Sequence, residues 1–221
     1  MNKTVVITGA NKGIGLEFCI YYKNQGADVI AVCRSPSDKL LALDVQVIDE
    51  VDVSSEQGIE HLKQALSGRI IDILINNAGI FSNQTLGELN FTEVSRQFEV
   101  NAVGPLKVTH ALLPQLNSGA KVALITSRMG SVADNTSGAY YGYRMSKAAL
   151  NAAGMSLACD LKPKGIAVAI LHPGFVQTSM VGYAGDISPQ IAAERLAQRI
   201  EELSIDNTGT FWHSNGDVLP W

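Results

Sequence analysis

Short apolar runs alternate with longer amphipathic segments from one end of this chain to the other, and that rhythm leaves few folds open. The runs are Thr4–Thr8, Asp28–Cys33, Val45–Asp49, Ile71–Asn76, Ala120–Thr126, Gly165–Leu171 and Thr208–His213. Stretches such as Val122–Ile125 are apolar without alternation, which suits strands buried on both faces of a parallel sheet. Between them, helices are predicted over Gly13–Gln25, Ser55–Leu66, Thr92–Leu116, Tyr140–Lys162 and Pro189–Leu203. The expected fold is therefore α/β, three layers doubly wound around a seven-stranded parallel sheet. With 221 residues, no internal repeat and no low-complexity linker, one domain over 1–221 is expected. The link from Arg34 to Leu43 is short for a parallel crossover, so its helix should be truncated and the sheet thinly covered there.

The first βα junction carries the turn Thr8-Gly9-Ala10-Asn11-Lys12-Gly13-Ile14-Gly15. Glycines at Gly9, Gly13 and Gly15 let the backbone turn tightly and approach a pyrophosphate, whose charge meets the following helix N-terminus. A glycine cluster can also be only a tight βα turn. Its position after the first strand favours a dinucleotide seat, of which Asn11, Lys12 and Ile14 are part. At the end of the second strand stands Arg34 rather than a carboxylate. An acidic group there would bind a ribose 2′-hydroxyl, whereas arginine accommodates a 2′-phosphate. With Lys12 as a second cation, the expected cofactor is NADPH (NADP+) in preference to NADH.

Tyr143 and Lys147 lie four residues apart on a predicted helix, on one face and about one turn apart. An ammonium beside a phenol favours phenolate, so the lysine is expected to lower a tyrosine pKa that ordinarily lies near ~10. Such a tyrosine is suited to give or take the proton that hydride transfer to a carbonyl requires. Tyr140 and Arg144 show the same step and serve as an internal control. Tyr140 and Tyr141 are assigned to structural or substrate-side lining.

Together these motifs resemble the short-chain dehydrogenase/reductase family over nearly the whole chain. The glycine turn fits that family's spacing, Asp52-Val53 is similar to its adenine-contacting pair, and Asn76-Asn77-Ala78-Gly79 to its signature after the fourth strand. The resemblance implies that Asn77, Ala78 and Gly79 lie beside the cofactor ribose. It gives Asn101 a part in a water relay to the lysine, and identifies Ser127, Tyr143 and Lys147 as the catalytic serine, tyrosine and lysine. Pro173-Gly174, with Val176 and Thr178, resembles the loop that packs on the nicotinamide. Ser127-Arg128-Met129-Gly130-Ser131 and the ending Leu219-Pro220-Trp221 resemble the C-factor and sniffer-like carbonyl reductases. The implied fold is the Rossmann fold. The implied chemistry is reduction of a small-molecule ketone or aldehyde, with Tyr143 as general acid and Lys147 also reaching the ribose.

Ser127 precedes Tyr143 by sixteen residues, a few more than the family spacing, which places an insertion in Ser131–Gly138. Ser131 is the alternative catalytic serine if the insertion lies elsewhere. Gln177–Ser188 occupies the place of a short substrate lid, consistent with an open cleft, and Met145, Met180 and Tyr183 are candidates for its apolar lining. His172, just before Pro173, is a minor candidate for a cofactor-loop role. The two long helices resemble the pair through which the family associates, which implies a homodimer.

The formal net charge of −4 gives no reason to expect nucleic acid or an anionic membrane surface as partner. The longest apolar stretches are too short to span a bilayer, and the N-terminal residues lack a signal-peptide pattern, so a cytoplasmic protein is expected. Three cysteines with no close pairing fit reduced thiols. The four histidines lack metal-ligand spacing, and no metal site is expected. The competing function class is a regulatory or signalling protein that binds NADP(H) with little turnover. An intact serine-tyrosine-lysine set speaks against it, because sensing needs no proton donor.

Overall fold

The computed structural model describes residues 2–221. Seven strands, β1 (Thr4–Thr8), β2 (Asp28–Val32), β3 (Gln46–Ile48), β4 (Ile71–Asn76), β5 (Leu116–Ile125), β6 (Ala167–His172) and β7 (Phe211–His213), form one sheet in the order β3-β2-β1-β4-β5-β6-β7. Every pairing is parallel.

Both faces of the sheet are covered, which explains the unbroken apolar runs. Successive side chains of a strand point to opposite faces, and β1 divides accordingly. Val5 and Ile7 pack with Leu16 and Phe18 of α1 (Gly13–Asn24) and Leu196 of α7 (Pro189–Glu202). Val6 joins the opposite core. There it meets Leu62 of α3 (Glu56–Ala65), Val108 of α5 (Gly104–Leu112) and Leu150 of α6 (Tyr141–Leu161). The short crossover holds the truncated helix α2, Asp38–Leu41, capped by Ser37, whose Oγ accepts from the Leu40 amide. Leu40 alone of its residues is buried.

The single helix predicted over Thr92–Leu116 is instead broken into pieces. It runs as α4 (Phe91–Phe98), a π turn over Glu99–Val103, α5 and a 3-10 turn at Leu113–Gln115. The cause is legible in Pro105. An α-helix would need the amide of residue 105 to donate to the carbonyl of Asn101, and proline has no N–H. The ladder widens to the π form around that missing donor, as it often does at functional sites. β5 also begins earlier than expected, at Leu116, with a shift of register against β4 between Ile71 and Ile73.

Strand order reverses between β1 and β4, and the chain leaves their carboxyl ends in opposite directions. That switch point is where doubly wound folds open a crevice. The glycine turn follows β1 and Asn77-Ala78-Gly79 follows β4, so the sheet alone brings these distant segments together. Among the described residues no helix is long and apolar enough to cross a membrane. Cys19 and Cys33 are buried, Cys159 is exposed, and all three are free.

Candidate active site

Two clefts meet over the carboxyl end of the sheet. The first, of about 450 Å³, is lined by Gly9, Asn11, Lys12, Gly13, Ile14, Arg34, Asp52, Val53, Asn77, Ala78 and Gly79. Its floor is backbone. A Cβ on Gly9, which has φ +66°, would lie 2.8 Å from the Ala78 Cα, and one on Gly15 would lie 2.2 Å from the Gly9 carbonyl oxygen. Gly15 is thus not a wall of the cleft but the packing contact beneath it. Thr8 completes the junction, a role the sequence reading missed. Its buried hydroxyl accepts from the amides of Asn77 at 3.0 Å and Ala78 at 3.1 Å, while the Asn77 side chain donates back to the Thr8 and Gly9 carbonyls. Asp52 lies at the cleft with its carboxylate held by the Ser54 hydroxyl at 2.6 Å and amide at 2.9 Å, which lowers its pKa.

A glycine-lined crevice with cations Lys12 and Arg34 at its sides fits a phosphate-bearing dinucleotide, because the close backbone approach leaves room that any Cβ would fill. Among the described residues no three His, Cys, Asp or Glu side chains are grouped so as to hold a metal ion.

The second cleft, of about 850 Å³, is lined by Ser127, Tyr143, Pro173, Gly174, Val176 and Thr178, among others. It shares Ile14, Phe81, Thr178 and Met180 with the first. Ser127 is buried at the end of β5, where its Oγ accepts from the Met129 amide and caps a 3-10 turn. Its hydroxyl lies near enough to Tyr143 to favour that residue's phenolate. Ser131, the alternative serine, does not line the cleft; its Oγ accepts from the Asp134 amide inside the inserted loop.

Lys147 and Asn101 line neither cleft. Lys147 is buried behind the wall, donating to the Ile125 carbonyl at 2.9 Å, with its Nζ 5.8 Å from the Tyr143 ring centroid. Its Nζ is also 3.8 Å from the point where a Cβ on Gly79 would sit, so it stands behind the Gly79 edge of the first cleft. Asn101 lies in the π turn, fully buried. Its side chain accepts from the Ile80 amide, donates to the Ile80 carbonyl and donates to Ser146 Oγ, which in turn donates to the Tyr143 carbonyl.

The expected depression of the tyrosine pKa is not what this arrangement produces. Dense surroundings disfavour phenolate and push Tyr143 up to about 12, with the nearby Ser127 hydroxyl opposing. Part of the ring nevertheless faces the cleft, since the residue is only half-buried. Burial likewise brings Lys147 down to about 8. A helical step between ammonium and phenol says nothing of desolvation, and here desolvation wins.

The rest of the larger cleft was read less well. Met180 lines both clefts, but Met145 and Tyr183 line neither and are largely exposed. Phe81, Met129, Asp134, Thr136, Ser137, Arg144 and Phe175 line the second cleft and were not expected there, while His172, a minor candidate for the cofactor loop, lines it beside Pro173 and Gly174. His172 packs edge-on against His213 at 4.9 Å, and burial holds it down to about 3, so the ring is neutral. Tyr140 does reach the cleft, as expected of a lining residue, on three successive left-handed residues, Gly138, Ala139 and Tyr140. Two of these carry a Cβ, a conformation that costs about 1–3 kcal/mol per residue and is held only by its surroundings. The Tyr140 amide donates to the Gln84 carbonyl at 2.7 Å, and the Gln84 side chain accepts from Gly142 and Gln97.

The fold and paired clefts are those of a dinucleotide-dependent oxidoreductase. The chain belongs to the short-chain dehydrogenase/reductase family: the family model described as short chain dehydrogenase matches residues 3–187. The chain is 40% identical over 224 residues to the 1-hydroxy-2-glutathionyl-2-methyl-3-butene dehydrogenase of Rhodococcus sp. (strain AD45), covering 99% of each. It is 44% identical over 154 residues to the C-signal protein of Myxococcus xanthus, covering 68% of this chain and 93% of that one. The structure superposes on the NADPH-bound carbonyl reductase from chicken fatty liver with a TM-score of 0.90, at 27% identity, over 100% of this chain and 99% of the other. The expected resemblance to C-factor-like carbonyl reductases stands.

Proposed function

We propose that the protein reduces a ketone or aldehyde to an alcohol, with NADPH supplying the hydride when bound. The observation that carries this reading is the convergence of the Ser127 and Tyr143 hydroxyls in a cleft sharing four wall residues with the glycine-floored one. At neutral pH Tyr143 is a phenol, and so a donor, which suits protonation of a carbonyl oxygen as it becomes an alcohol. Ser127, preorganised by its turn, hydrogen-bonds the same oxygen and stabilises the charge developing there. Lys147, mostly protonated below about 8, holds the ribose side and keeps positive charge next to the tyrosine. Asn101 joins a relay that returns a proton toward Lys147, with its carbonyl deprived of the α-helical donor that residue 105 would supply. Arg34 and Lys12 favour NADPH through the 2′-phosphate.

The test is NADPH consumption over a panel of aldehydes, diketones, quinones and ketosteroids. The panel should include bulky thioether alcohols assayed in the oxidative direction, because the Rhodococcus relative is named for such a compound. Tyr143→Phe should bind NADPH normally and lose about 10²–10⁴-fold in kcat. Normal turnover by that variant would sink the assignment. A signalling role with little turnover is the second reading, favoured by the relative named C-signal. It takes over if NADPH binds and neither direction reacts.

A further inference from the structure

The inserted loop Ser131–Gly138 forms one wall of the larger cleft through Asp134, Thr136 and Ser137, yet it contains no helix or strand. It has little apolar anchorage, since Val132 is 79% exposed. Three of its hydrogen bonds are internal: Ser131 Oγ accepts from the Asp134 amide, Asn135 Oδ1 from the Gly138 amide and the Val132 carbonyl from the Asn135 amide. Its ion pair, Arg128 with Asp134, is partly exposed, and exposed pairs contribute only about 0–1 kcal/mol. What ties the loop to the rest of the molecule is therefore a small set of contacts. Arg144 holds one end, donating to Ser137 Oγ at 2.9 Å and the Gly138 carbonyl at 3.2 Å. Trp221 holds the other, its main-chain oxygen accepting from the Ala133 amide at 2.8 Å.

Trp221 is itself fixed to the sheet. Its indole stacks on Phe211 of β7, with centroids 5.3 Å apart and planes 27° from parallel. Phe211, Leu219 and Ile170 make a small buried cluster, and the Leu219 amide donates to the Phe211 carbonyl at 2.8 Å. The segment after β7 thus folds back along it, an antiparallel bridge pairing Trp212 with Val218. This clasp refers the loop's position to the sheet edge. It fixes Ala133, the immediate neighbour of the Asp134 that pairs with Arg128 at the cleft.

We propose that Trp221 is a positioning residue that sets the substrate-side wall, so that its indole and main-chain oxygen decide how large a substrate the cleft holds in register. The proposal rests on the reading that the 850 Å³ cleft takes the carbonyl substrate. The test compares the wild-type protein with Trp221→Ala and Trp221→Phe, after checking that melting and NADPH binding are retained. Kinetics are taken with the smallest and the largest carbonyl that the wild type reduces, alongside hydrogen exchange at the Ala133 and Asp134 amides. In Trp221→Ala, KM for the large substrate should rise about tenfold, with kcat and the small substrate's KM within about twofold. Both amides should exchange faster, and Trp221→Phe, which keeps a stacking ring, should restore the wild-type pattern. Equal KM changes for both substrates, or none, would overturn the proposal. If the wild type reduces no carbonyl, the functional reading fails on its own, and unchanged Ala133 exchange would then refute the clasp independently.

Discussion

The glycine-floored cleft and the larger cleft touch along Ile14, Phe81, Thr178 and Met180, but they are built from different materials. The first has a backbone floor, where glycine contacts leave no room for a single carbon. The second is walled by side chains carried on loops, including an exposed ion pair, a neutral histidine and a strained tyrosine. A backbone-built site tolerates almost no change, because nothing in it can rotate away. A side-chain-built site can be retuned one residue at a time. The difference lets the walls of the larger cleft change while the glycine floor stays as it is.

Substitution at Gly15 presses hardest on that contrast. A methyl group there would overlap the Gly9 carbonyl and lie 2.6 Å from Asn77 Nδ2. Gly15→Ala should cost about 3 kcal/mol, or roughly a hundredfold in NADPH affinity. Titration calorimetry giving wild-type affinity would mean the floor is softer than its contacts imply.

Next comes Lys147, which stands behind both clefts. Its pKa in the fold is about 8 against an ordinary 10.5, so between those values the unfolded chain keeps a proton the folded chain has lost. Stability from this group therefore rises with pH across that window. Lys147→Met removes the rise. The wild type's stability relative to the variant should climb by about 3 kcal/mol between neutral pH and the ordinary lysine value, as read by urea unfolding. A flat difference would mean that the ammonium is solvated.

A smaller effect is expected at the flank of the cofactor cleft. Arg34→Leu should raise the KM for NADPH about tenfold and leave NADH unchanged. Equal changes for both cofactors would remove Arg34 from the discrimination. The smallest effect belongs to the adaptable side. Phe175, half-exposed on the larger cleft, should give only about a threefold rise in carbonyl KM on replacement by alanine, with NADPH affinity intact.

The same contrast governs what could be read from the sequence. Gly9, Gly13, Asn77 and Gly79 were legible because close backbone approach restricts residue type at fixed spacing. β1 and β4 were found to the residue, because strands buried on both faces leave no polar interruptions. Thr8, Gln84 and Tyr140 act through hydrogen bonds and turns to partners remote in sequence, which no local pattern announces. Pro105 did signal the broken helix, but only once the amide it withholds from Asn101 is counted. Tyr143 was identified by its spacing to Lys147, yet its pKa moved the other way, since burial depends on packing around the pair and not on their separation. Met145 and Tyr183 were placed in the lining by polarity alone, and the helix and lid turned them outward.

The two junctions also compare in chain entropy. Closing a loop costs free energy that grows only slowly with its length. Thr8 and Asn77 close one of 69 residues through the glycine junction. Trp221 docks on Phe211 only ten residues away, and its hold on the Ala133 amide closes a loop of 88. The exposed wall of the larger cleft therefore costs the chain little more to close than the buried floor of the smaller one. What separates the rigid side from the adaptable one is what fills each loop once it is closed.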